Sequence, residues 1–173
     1  MKPTLVSAVE DVLLQGSMLL NALTDEEFTQ TEGTGSRSAV GSHYRHVLDH
    51  FVCLLEGIKT GEVNYDHRRR NPVLEKSVTA ARVATEDVIR KFRGLTPETL
   101  RSNCFVMYTV GYGEDGIEKA SSNVAREVMF CVGHAIHHYA ILKLLCTSLG
   151  VKLPYEFGVA PSTLKYQEEQ LTA

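Results

Sequence analysis

Apolar residues in this chain return every three or four positions along four long stretches, and that spacing restricts it to folds in which helices pack face to face. From Leu5 to about Leu23 the series is Leu5, Val9, Val12, Leu13, Gly16, Leu19, Leu20 and Leu23. From Ser38 to about Lys59 it is Val40, Val47, Leu48, Phe51, Leu54, Leu55 and Ile58, with Gly57 and Gly61 supplying an exit. Asn71-Pro72 reads as an N-cap followed by the favoured first-turn proline, opening a third helix to about Phe92 through a broad stripe of Val73, Val78, Ala81, Val83, Ala84, Val88 and Ile89 that does not fix its facing. The longest helix runs from Ser122 to Leu149 through Val124, Val128, Cys131, Ala135, Leu142 and Leu145, and Gly150 ends it.

The connections carry their own signals. Thr24 to Arg37 is polar and glycine-containing, a loop from which Ser36 or Ser38 caps the second long helix. Thr96-Pro97 predicts a short turn. Phe105 to Val110 is β-branched and aromatic, and Gly111, Gly113 and Gly116 follow, so a small hairpin or an extended crossover is expected there. Pro154 and Pro161 predict an irregular tail from about residue 151 that wraps over the domain. The resulting expectation is an all-α fold, a four-helix bundle with a long crossover before the last long helix. The 173 residues, 43% of them hydrophobic, suit one domain and one core.

Charge and cysteine content narrow the function classes. A net charge of -3 gives no general attraction for phosphate backbones, so nucleic acid is not an expected partner. Nothing approaches the roughly eighteen uninterrupted apolar residues of a membrane span, and the N-terminus lacks a secretory pattern, so the expected location is cytoplasmic with no membrane partner. Cys53, Cys104, Cys131 and Cys146 form no Cys-x-x-Cys pair and are expected as reduced thiols.

Six of the seven histidines fall in two short clusters, His43, His46 and His50 on the second long helix and His134, His137 and His138 on the fourth. Residues four apart lie on one helical face, so His134 and His138 can converge on one point. Imidazole suits several divalent transition metals, zinc binding at about 2.0–2.1 Å, and a third histidine from the facing helix would complete a three-histidine face. A single His-x-x-x-His arises easily by chance; two clusters on otherwise apolar helices are hard to explain as packing, because each buried imidazole needs a partner. His43, His46 and His50 all lie near one face, and periodicity does not choose among them. His137 is turned by about 100° from His138 and points elsewhere.

The string Ser38-x-x-x-Ser42-His43-x-x-His46-x-x-Asp49-His50, followed some ninety residues later by His134-x-x-His137-His138, resembles the DinB-like/YfiT-like superfamily of four-helix-bundle metalloproteins. The resemblance runs from the first helix through Leu149. It implies that His46 joins His134 and His138 as the metal ligands; imidazole ligation suits zinc, nickel or iron alike and does not choose among them. It also implies an activity class, because characterised members include metal-dependent transferases using thiols such as bacillithiol, mycothiol or glutathione. A thiol S-transferase acting on a small electrophile is therefore expected, and a non-catalytic metal or small-ligand binding protein of the stress response is the alternative. A di-iron carboxylate bundle would need Glu-x-x-His motifs, which this sequence lacks.

Around the triad, Asp49 lies one turn beyond His46 and is a candidate to orient an imidazole, with a solvated or helix-pairing aspartate as the equal alternative. Glu127 and Cys131 share the helical face of His134; Glu127 is a candidate base or fourth ligand, and Cys131 is expected to pack. Arg68, Arg69 and Arg70 crowd one helix entrance, and Arg68, Arg70 and Arg126 are candidates to bind substrate carboxylates. Tyr108 and Tyr112 are weaker candidates of the same kind. An apolar helix face left exposed would make a homodimer.

Overall fold

The computed structural model describes residues 4–31, 38–112 and 116–172. Thr4 opens helix α1 (Leu5–Asn21) with a capping box, its hydroxyl accepting from the Ser7 amide while Ser7 Oγ accepts from the Thr4 amide. Thr24 and Glu27 repeat that device for a short helix α2 (Asp25–Thr29), which buries Phe28 inside what reads as a polar loop. Helix α3 (Val40–Thr60) begins with Ala39 at its N-cap and no side-chain cap bond. Ser38 is therefore not the cap, and Ser36 lies outside the described residues. Gly61, at φ 77°, closes α3 in the left-handed region that glycine adopts without strain.

The third helix is shorter than its sequence signal. Asn71 does cap Pro72, but only a 3-10 turn follows, Pro72–Glu75, and helix α4 (Val78–Arg93) starts later. Two groups fix that start: Ser77 Oγ accepts from the Ala80 amide, and Asp25 Oδ1 accepts from the Val78 amide at 2.6 Å. Thr96-Pro97 opens the short helix α5 (Pro97–Arg101).

Three strands form the crossover. β1 (Glu62–Asn64) pairs in parallel with β2 (Asn103–Thr109), and β2 pairs antiparallel with β3 (Ile117–Asn123) from Asn103↔Asn123 to Thr109↔Ile117. The expected hairpin is present, and β1 adds an edge strand that the sequence reading lacked. Helix α6 (Val124–Ser148) follows β3 directly, with Asn123 as its N-cap. The tail corrects another expectation: after residues 151–160, Pro161 opens a helix, α7 (Pro161–Thr172), because proline at the first helical position gives up only an amide that has no partner there.

The four long helices pack in a closed order, α1 on α4, α4 on α3, α3 on α6 and α6 on α1. This is the mostly helical bundle that the apolar spacing predicts. Leu13, Leu19, Leu20, Tyr44, Leu48, Phe51, Leu54, Phe92, Tyr139 and Leu142 are fully enclosed at its centre. Where α1 passes two of these rings, a Cβ at Gly16 would lie 2.4 Å from Tyr139 Oη and 2.6 Å from Tyr44 Oη, so the position needs glycine. Thr85 donates to the Ala81 carbonyl, which leaves Tyr44 Oη to donate to Thr85 Oγ1 at 2.8 Å. By length and mean hydropathy α6 is apolar enough to cross a membrane; here it packs between α1 and α3 and holds three histidines.

Candidate metal centre

Helices α3 and α6 meet with their histidines turned toward each other. His46 Nε2 lies 3.0 Å from His134 Nε2, and the ligand atoms of His46, His134 and His138 all fall within 4.8 Å of one another. Burial holds all three imidazoles well below the ordinary histidine range, His46 and His134 to about 3 and His138 to about 4, and neighbouring histidines push the same way. Near neutral pH the triad is thus three uncharged rings with ring nitrogens drawn together. That donor set fits a divalent transition ion, which binds neutral imidazole.

The other histidines support this group. His43 Nδ1 sits 3.2 Å from His138 Nδ1, so the two rings share one proton at that contact. If His138 carries the proton there, its Nε2 is left free as a ligand. His50, 4% exposed, donates from Nδ1 to the His46 carbonyl at 2.9 Å and stacks on Tyr65. His137 is exposed, as its rotation from His138 predicts. Periodicity left three candidates on α3 because all three do face this cluster; they differ in what each nitrogen touches.

The cluster opens into a cavity of about 740 Å³ between α3, α6 and the β2–β3 hairpin. His46, His50 and His134 form one side, and Val106, Tyr108, Val110 and Ala120 form the hairpin side. Glu127 is buried in the wall, where Tyr65 Oη donates to Oε2 at 2.9 Å and Ser122 Oγ donates to Oε1 at 2.6 Å. Burial and the adjacent Glu127 and Cys131 raise Tyr65 far above the normal phenol range, so it stays a donor. Cys131 is buried beside it with its thiol pushed up to about 12, as expected of a packing cysteine.

Other predicted residues are sorted by the same geometry. Asp49 does not orient an imidazole; its hydrogen-bond partner is Arg45 Nη1 at 2.7 Å, and Arg45 also reaches Glu75 at 2.8 Å. Burial raises the Asp49 carboxyl above its usual range against the opposing pull of Arg45. Arg68 and Arg126 line the cavity, with Arg126 set over the Phe130 ring. Arg70 does not line it, since the backbone there turns at φ 48° and leaves the residue exposed. Arg69 pairs with Glu56 instead. Tyr108 lines the cavity and Tyr112 is fully exposed.

Sequence reasoning missed Tyr65 and Ser122. Tyr65 had a signal, since Val63 and Tyr65 are the buried positions of an alternating segment at β1. Ser122 had none, because its partner Glu127 becomes a neighbour only where β3 runs into α6.

A histidine-lined cleft between two helices of a bundle, walled by a hairpin, defines a class of candidate metalloprotein. The comparisons agree at the level of fold. The solved structure of a DinB-like protein, YjoA, from Bacillus subtilis superposes with a TM-score of 0.61, covering 88% of this chain and 97% of that one at 17% identity. The chain therefore has the DinB-like fold. It is also 32% identical over 108 residues to FK506-binding protein 5 of Rhizopus delemar, a match covering 62% of this chain and 28% of that protein. This chain thus spans little more than a quarter of that relative. No protein-family model matches the sequence.

Proposed function

We propose that the protein is a divalent-metal-dependent transferase that joins a low-molecular-weight thiol to a small electrophile in the cytoplasm. The observation that carries this reading is the convergence of His46, His134 and His138, with His46 and His134 lining a substrate-sized cavity. A bound zinc, nickel or iron ion would lower the pKa of the thiol and so supply a nucleophile at neutral pH. The chain's own groups do the rest. Hairpin residues Val106 and Val110 give the cavity an apolar side, and Arg126 stands at the rim. Glu127, fixed by Tyr65 and Ser122, is positioned to accept the thiol proton. The sulfur–carbon bond forms as the electrophile's leaving group departs with its electron pair. Four buried, unpaired cysteines suit a reducing compartment.

The test is turnover of monochlorobimane with a panel of biological thiols, with and without added zinc, nickel or iron. A rate that needs both metal and one particular thiol is expected, and Glu127→Gln should lower it by about 10²–10⁴-fold if the carboxylate is the proton acceptor. No metal-dependent rate with any thiol would overturn the transferase in favour of a non-catalytic metal-binding protein.

A further inference from the structure

Arginines across this fold are paired with carboxylates: Arg45 with Asp49 and Glu75, Arg69 with Glu56, Arg93 with Glu10. Arg68 is the exception within the cavity wall. It is partly buried, and no ion pair among the described residues includes it. Its Nη1 donates to the Tyr65 carbonyl, while its Nε is buried with no hydrogen-bond partner. That Nε has almost no accessible surface, so the group left to meet a ligand is Nη2, a charged donor with no hydrogen-bond acceptor among the described residues.

Nearby acids do not fill this role. Asp66, also in the wall, accepts from the Thr109 amide at 2.9 Å, and the cation nearest Glu127 is Arg126, at 3.8 Å, rather than Arg68. We infer that the cavity binds an organic carboxylate through the Nη2 group of Arg68, as one end of the molecule whose other end reaches His46 and His134. Both ends fit because Arg68 and the two histidines line one space of about 740 Å³. The inference rests on the proposed function in placing the reactive end at the triad, and it names the recognition group that the substrate carries.

The experiment compares 3-mercaptopropionate with its methyl ester by isothermal titration calorimetry, on zinc-loaded and metal-free protein. The wild-type protein should bind the acid about tenfold or more tightly than the ester, the scale of a hydrogen bond to a charged group. Arg68→Gln should bring the acid down to the ester and leave the ester unchanged, which also shows that the variant keeps its cavity. Equal binding of acid and ester by the wild-type protein would overturn the inference whether or not the variant folds. Loss of both ligands in a folded variant would do the same. Failure of the transferase reading is told apart by the bimane assay, because the preference for the acid should persist in metal-free protein.

Discussion

At the scale of single residues, the site depends on which nitrogen each histidine commits. His46, His134 and His138 have neighbouring ring nitrogens, whereas His50 spends its Nδ1 proton on a backbone carbonyl and His43 spends a nitrogen on His138. A ring that fixes a ligand's tautomer contributes to affinity without touching the metal. His43→Ala should therefore weaken zinc binding by about 10–100-fold in a chelator competition. His137→Ala, at an exposed neighbour, should change it by no more than about twofold. Equal effects would mean that His43 does not hold His138. The pair His134 and His138 was legible from its four-residue spacing alone. His46 was not, because His43, His46 and His50 share one face, and only the resemblance to a known family selected it. For Asp49 spacing left two readings open, and the pairing along its own helix is the one found, because a nearer cation, Arg45, takes the carboxylate.

At the scale of elements, helix periodicity located α1, α3 and α6 within a few residues, because each buries a regular stripe. The third helix was placed too early since Asn71-Pro72 caps a 3-10 turn equally well, and the deciding partner, Asp25, lies 53 residues away. Long-range partners explain the other omissions too. β1 exists only through its pairing with β2, and the cavity wall exists only because the hairpin lies across α3 and α6. Close approach of helices is similarly invisible to a pattern that counts Gly16 as one more inward position. Gly16→Ala should cost about 1–3 kcal/mol, since enclosed Tyr44 and Tyr139 cannot both move away. A thermal melt should show the loss as a fall of about 2–4 °C per kcal/mol. An unchanged melting temperature would mean that α1 shifts outward freely.

At the scale of the whole molecule, the bundle and the site are two uses of the same faces. The stripes of α3 and α6 that close the core continue into histidine where the hairpin replaces a helix as the covering layer, and there the core gives way to a cavity. A similar fold in YjoA at 17% identity shows that the architecture tolerates wide change in sequence, so the chemistry must be read from these particular side chains. The reaction proposed for the cavity depends on whether the triad holds a metal. The direct measurement is elemental analysis of protein purified without a polyhistidine tag, for the wild type beside His46→Ala and His138→Ala. The account predicts about one divalent transition ion per wild-type chain, as for a single three-histidine site, and little or none in either folded variant. Full occupancy in both variants, or a wild-type protein that takes up no zinc, nickel or iron when offered each, would contradict it.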